Sequence, residues 1–137
     1  MAFTEETTLS TPSGATLALY VRHADITPIG VVQINHGLAE HARRYGRFAD
    51  ALAANGFHVY VQDHRGHGTT TAPDAPLGRF GERDGIGKAI ADIDAVHALI
   101  ARVLLLVVVG AVVLLNQGGS STPVATPGTP GTSGTPG

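Results

Sequence analysis

The stretch that decides the fold is Val31-Val32-Gln33-Ile34-Asn35-His36-Gly37-Leu38-Ala39-Glu40-His41, where an apolar run ends abruptly in a polar loop that contains glycine. A second unit of the same design occupies residues 57–68, where apolar residues lead into Asp63-His64-Arg65-Gly66-His67-Gly68. In parallel α/β sheets, binding and catalytic sites form where strands end in such loops. The two loops are therefore the candidate functional region.

The segment before this stretch predicts an antiparallel hairpin. Residues 4–9 are rich in Thr, and a turn signal follows at 11–14. Residues 16–22 then alternate, with Leu17, Leu19 and Val21 on one side and Tyr20 and Arg22 on the other. This period of two predicts a half-buried strand that pairs with the first. Residues 30–35 are apolar without alternation, which is typical of a strand buried on both faces.

Between the two loops, the spacing of apolar residues predicts a helix over residues 45–55. Five residues form its stripe at i, i+3, i+4, i+7 and i+8: Tyr45, Phe48, Ala49, Leu52 and Ala53. Asn55-Gly56 supplies a helix stop. The next strand covers residues 57–62. A strand, a crossover of 21 residues and a second strand make a βαβ unit, so these two strands should be parallel.

A second helix is predicted over residues 85–102, capped by Asp84. Its expected buried stripe comprises Ile86, Ile90, Ile93 and Ile100, with His97 on the same side. Asp92 and Asp94 are expected to face away.

The composition changes at Arg102, because all 9 Lys and Arg, all 11 Asp and Glu and all 7 His lie at or before this residue. We therefore predict a partial α/β domain over 1–102, an apolar segment over 103–115 and a disordered, low-complexity tail over 116–137. The apolar segment has three interpretations. The first is a buried sheet strand, with the second helix extended into it and a break at Gly110. The second is a membrane segment over 98–115. The third is a sequence that aggregates.

The middle of the chain resembles the α/β-hydrolase superfamily, in particular its monoacylglycerol lipase/lysophospholipase branch, which includes S33-like serine aminopeptidases. Four segments carry the resemblance in the right order and spacing: residues 36–41, 44–45, 51–56 and 63–68. The resemblance covers about residues 11–102, the first third or so of a complete enzyme. It implies an N-terminal, truncated portion of the α/β-hydrolase sheet, with antiparallel first strands followed by a parallel βαβ unit.

The resemblance also implies site residues. The backbone N–H of Leu38 would donate to an oxyanion, and His36 and Gly37 would belong to the oxyanion loop. His36 and Glu40 would brace this loop. Asp63 and Arg65 would shape the neighbouring one.

The catalytic triad of such enzymes is not found in this sequence. The family needs Gly-x-Ser-x-Gly followed by Asp and then His. The nearest approach is Gly118-Gly119-Ser120-Ser121-Thr122, and no Asp, Glu or His follows Arg102. We therefore expect a catalytically incomplete chain without a nucleophile, produced by truncation or a frameshift. The alternatives are a non-catalytic interaction module or a membrane-associated protein.

The sequence gives little support for a metal, cofactor or nucleic-acid site. His41, His64 and His67 could bind a metal together with Asp63, but the chain has no Cys and no His-Glu-x-x-His pattern, so neither metal nor cofactor is expected. A net charge of −2 predicts no nucleic-acid partner. The first six residues lack a signal-peptide pattern, so a cytoplasmic location is expected. The implied partner is a small lipid ester.

Overall fold

The computed structural model describes residues 3–117. Its strands are β1 (Glu5–Ser10), β2 (Thr16–Arg22), β3 (Gly30–Asn35) and β4 (Phe57–Gln62). A 3-10 helix (Ala42–Tyr45) leads into α1 (Gly46–Ala54), and α2 covers Gly85–Gln117. Both predicted helices exist, and each begins within one residue of the predicted position.

The four strands form one mixed sheet in the order β1-β2-β4-β3. β1 pairs antiparallel with β2, and β2 pairs antiparallel with β4. β3 pairs parallel with β4, so that Asn35 lies opposite Gln62. The predicted fold class, an antiparallel hairpin followed by a parallel βαβ unit, is confirmed.

The sheet carries an apolar cluster on each face. Leu17, Leu19 and Val21 of β2 pack with Val96 and Ile100 of α2. The alternate β2 residues belong to the other cluster, with partners from α1, β3 and β4: Ala18, Tyr20, Ile34, Ala49, Val59 and Val61. The prediction that β2 is half-buried is therefore wrong. β2 lies inside the sheet, between β1 and β4, and both of its faces are covered.

The predicted buried face of α2 is wrong at Ile86, Ile90 and His97, whereas Ile100 is buried as predicted. Ile86 and Ile90 are 71% and 54% exposed, and His97 is exposed too. The residues that face the sheet are Ala89, Asp92, Val96 and Ile100. The helix is thus rotated about its axis from the predicted orientation. Asp92 is fully buried, whereas Asp94 is exposed as predicted.

The apolar segment is helical. Residues 103–115 continue α2, and the helix passes through Gly110 without a break. The strand interpretation of this segment is therefore wrong. The described chain divides into two compact units between Val103 and Leu104. The predicted tail lies outside the described residues, apart from Asn116 and Gln117, which end α2.

Candidate functional site

The two candidate loops lie side by side because their strands are parallel neighbours. β3 ends at Asn35 and β4 ends at Gln62, and these two residues are partners in the ladder. The Gln62 side-chain amide donates to Asn35 Oδ1 at 2.5 Å. The loops that begin at His36 and Asp63 therefore start side by side, at the carboxyl ends of β3 and β4.

The first loop turns sharply directly after His36. The Glu40 N–H donates to the Gly37 carbonyl at 3.3 Å, which closes a four-residue turn. Ala39 has φ 61°, the positive value that the third position of a type II turn requires. Leu38 occupies the second position and is 74% exposed. Among residues 3–117, no group accepts a hydrogen bond from the Leu38 N–H.

Glu40 links this turn to the 3-10 helix that follows. The Tyr45 hydroxyl donates to Glu40 Oε2 at 2.7 Å, and Arg44 lies 3.5 Å from Glu40 Oε1. The Tyr45 hydroxyl is the main reason why the pKa of Glu40 is lowered, and the positive charge of Arg44 adds to the effect. Glu40 is therefore ionised at neutral pH and holds the end of the turn against the helix.

His36 and His64 join the two loops by reciprocal hydrogen bonds. The His64 N–H donates to His36 Nε2 at 2.9 Å, while His64 Nε2 donates to the His36 carbonyl at 3.1 Å. Because His36 Nε2 accepts, its proton is on Nδ1, which donates to the Gly37 carbonyl at 2.8 Å. The two rings are 4.2 Å apart. This pair fixes the backbone on both sides of Gly37 relative to the second loop.

Both imidazoles are held neutral. Burial lowers the pKa of His36, and burial together with repulsion from His36 lowers the pKa of His64 to about 4. The pKa of an unfolded His is about 6.5. Folding therefore favours the neutral form. The stability that the neutral forms contribute is complete above pH 6.5, and the part due to His64 is lost as the pH falls towards 4.

Asp63 organises the second loop and has no free carboxylate oxygen. Its Oδ1 accepts the Ala42 N–H at 2.7 Å, and its Oδ2 accepts the Thr69 N–H at 3.0 Å. Tyr20 also donates to Oδ2, at 3.3 Å. Gly68 is required beside it, since a Cβ there would lie 1.9 Å from Asp63 Oδ2. Asp63 is thus a structural acceptor that ties the second loop to the 3-10 helix.

Arg65 is fully buried and uses every donor of its guanidinium group. Its Nε donates to Asp92 Oδ2 at 2.9 Å. One terminal nitrogen donates to Asp74 at 3.3 Å and to the Phe80 carbonyl at 3.2 Å. The other donates to the carbonyl and hydroxyl of Ser13 at 3.2 and 3.1 Å. Arg65 therefore fastens the second loop to α2 and to the β1–β2 turn.

The sequence interpretation missed Asp92 as the counter-ion of Arg65. Besides Arg65, the hydroxyls of Thr11 and Ser13 donate to Asp92 Oδ1, the Thr11 bond being 2.7 Å. A signal was present in the sequence. Arg65 closely follows an apolar strand, and an Arg that becomes buried needs a carboxylate. Asp92 lies on the same face of the helix as Ala89 and Val96.

The residues considered for a metal site are only partly brought together. His64 and His67 are buried near His36, but His41 is exposed at the start of the 3-10 helix. His64 Nδ1 and His67 Nε2 have no hydrogen-bond partner in the described chain. Within residues 3–117, no group of three potential ligands could hold a metal ion. Ser120, the other residue considered for chemistry, lies outside the described residues.

Three comparisons bear on the origin of the chain. The family model for serine aminopeptidase, S33, matches residues 26–106, more than half of the chain. A monoacylglycerol lipase from Mycolicibacterium smegmatis is 54% identical over 44 residues, which are 32% of this chain and 16% of the lipase. Protein K6 of vaccinia virus is 33% identical over 67 residues, which are 48% of this chain and 83% of that protein.

A solved structure has the same arrangement. Epoxide hydrolase A from Mycobacterium thermoresistibile superposes with a TM-score of 0.54 at 29% identity, over 71% of this chain and 28% of that one. The chain spans less than a fifth of the lipase that it matches and less than a third of the epoxide hydrolase, so the shared region is part of a larger fold. The chain therefore belongs to the S33 serine aminopeptidase family of serine hydrolases and carries the N-terminal part of the α/β-hydrolase fold.

Proposed function

We propose that the chain supplies the oxyanion-binding loop of a cytoplasmic serine hydrolase that cleaves lipid esters such as monoacylglycerols or lysophospholipids. Its family and its similarity to a monoacylglycerol lipase support the class of substrate. The observation that carries the proposal is the Leu38 N–H. This group is exposed on a turn and has no acceptor in the described part of the chain.

The geometry of the turn suits an oxyanion donor. Ester hydrolysis passes through a tetrahedral intermediate whose negative oxygen needs donors that are already in place. The turn around Leu38 is held on one side by the His36–His64 pair and on the other by Glu40 and Tyr45. An N–H fixed in this way stabilises charge without a reorganisation of the loop during the reaction.

The remaining machinery is not encoded in these 137 residues. A nucleophilic Ser on a Gly-x-Ser-x-Gly turn, an acid and a general base are needed, yet no Asp, Glu or His follows Arg102. We therefore expect the 137-residue chain to be catalytically incomplete. A truncation or frameshift near codon 102 accounts for the abrupt change in composition.

An esterase assay tests the first part of the proposal. The purified chain should hydrolyse p-nitrophenyl butyrate no faster than buffer, because a general base alone contributes typically ~10²–10⁴-fold. Ser120→Ala should leave this background unchanged. Turnover that disappears in the Ser120→Ala variant would show that the chain carries its own nucleophile and would contradict the proposal.

The nucleotide sequence downstream of codon 102 tests the second part. A continuation in another frame that encodes Gly-x-Ser-x-Gly, Asp and His would allow the intact enzyme to be produced. In it, Leu38→Pro removes the N–H but suits the second position of the turn, and Leu38→Ala is the matched control that keeps the donor. Loss of an oxyanion donor lowers kcat by about 10²–10³-fold. Equal activity of the two variants would exclude Leu38 as a donor.

A further inference from the structure

The last part of α2 is an apolar helix with exposed side chains. Residues 103–115 contain only Val, Leu, Ala and Gly. The large side chains among them range from 39% exposed at Val103 to 80% at Leu115. By length and composition, α2 is the one helix within residues 3–117 that could cross a membrane. The proposed ester hydrolysis gives this segment no role.

The apolar side chains surround the helix on all sides. Successive residues are about 100° apart, so thirteen residues cover every direction more than once. Leu105 and Val107, for example, lie on nearly opposite sides and are 63% and 64% exposed. A helix that docks on a protein has one apolar face and one polar face. A second copy of the chain would cover one side of this helix and leave the other in water, whereas hydrocarbon surrounds it completely.

We propose that residues 103–115 insert into the hydrocarbon region of a lipid bilayer. The segment is about 20 Å long at the helical rise of 1.5 Å per residue, which is shorter than the ~30 Å hydrocarbon core. On its own the segment is therefore too short to span a bilayer of ordinary thickness. Arg102 is exposed at its start and keeps its charge among the headgroups. Ile100, which is 6% exposed, stays in the core of the first unit and limits the insertion to residues after Arg102.

Flotation of the full chain with phosphatidylcholine vesicles in high salt tests this inference without a measurement of activity. The chain should float with the vesicles, since the contact is apolar and independent of salt. Leu105→Lys and Val107→Lys should each reduce the bound fraction at least about tenfold, because a charge on either side enters hydrocarbon. Ala98→Lys, at an exposed position earlier in the same helix, is the matched control and should float like the unmodified chain.

Two results would overturn the inference. One is a chain that stays at the bottom of the gradient with vesicles present. The other is sensitivity to Lys on one side of the helix only, which would indicate a protein partner or self-association.

Fluorescence gives a second measurement that does not depend on charged variants. The chain contains no Trp, so Leu106→Trp introduces a single reporter. Its emission should shift to shorter wavelength with vesicles and be quenched by lipids brominated on the acyl chain. Emission that vesicles leave unchanged would contradict insertion.

Discussion

Replacing Asp92 by Ala should destabilise the first unit strongly. The substitution removes the carboxylate that pairs with Arg65 Nε at 2.9 Å, and both side chains are almost completely buried. Removing one partner of a buried ion pair costs about 3–5 kcal/mol, because the other charge stays buried without compensation. Thr11 and Ser13 also lose their acceptor. This loss is a large share of the ~5–15 kcal/mol by which domains are typically stable.

Urea unfolding followed by circular dichroism measures the effect. With a slope near 2 kcal/mol per molar urea, a loss of about 4 kcal/mol lowers the midpoint by about 2 M. Asp94→Ala is the matched control, since Asp94 lies on the same helix two residues later and is exposed. Exposed substitutions of this kind usually change stability by within about 0.5 kcal/mol.

Equal urea midpoints for Asp92→Ala and Asp94→Ala would refute the orientation of α2 that buries Asp92. If Asp92→Ala does not fold, the double variant Arg65→Met, Asp92→Leu keeps the test decisive, because apolar pairs can replace buried ion pairs without loss. The double variant should be more stable than Asp92→Leu alone. A double variant as unstable as the single one would contradict the pairing.

Three further predictions concern the candidate loops. Gly68→Ala should lower the melting temperature far more than Gly14→Ala, because a Cβ at Gly68 would lie 1.9 Å from Asp63 whereas the space at Gly14 is open; similar melting temperatures would contradict this. His64→Gln keeps a donor for the His36 carbonyl but does not titrate. Between pH 6.5 and 4, the free energy of unfolding of the unmodified chain should fall by up to about 3 kcal/mol more than that of the variant. An unchanged pH profile would show that His64 is not buried as a neutral group. Ala39→Gly should be neutral or stabilising by up to about 1 kcal/mol in the same urea assay, since φ 61° strains Ala but not Gly; clear destabilisation would argue against the turn.

Much of the sheet could be predicted from local patterns. The alternation of Leu17, Leu19 and Val21 indicated a strand, and the turn signal before it indicated a hairpin. The length of the crossover between β3 and β4 required parallel pairing. Burial of β2 on both faces could not be predicted, because it depends on α1 and α2, which come later in the chain and cover opposite faces of the sheet.

The orientation of α2 could not be read from its isoleucines. Ile86 and Ile90 gave an apolar stripe at helical spacing, but the stripe that the sheet covers contains Asp92. A carboxylate is buried there because Arg65, 27 residues earlier, needs an acceptor. Such a pair depends on tertiary structure, and a local hydrophobic pattern does not record it.

Of the three interpretations of the apolar run after Arg102, the strand fails for a physical reason. A strand needs a neighbour to satisfy its backbone, whereas a helix that already exists adds one hydrogen bond for each further residue without a new nucleus. Gly110 weakens such a helix by only about 1 kcal/mol. The helix therefore continues through it.

The position of β3 at the edge of the sheet has a consequence for handling the protein. Within the described residues, β3 pairs only with β4, so one row of its backbone N–H and C=O groups has no strand beside it. Natural edge strands discourage association with Lys, Pro or a bulge, and residues 30–35 contain neither Lys nor Pro. Since these residues carry no charge, screening of charge by added salt would have little direct effect on pairing between molecules at this edge. Protein concentration is then the variable that controls pairing at this edge, because the association joins two molecules.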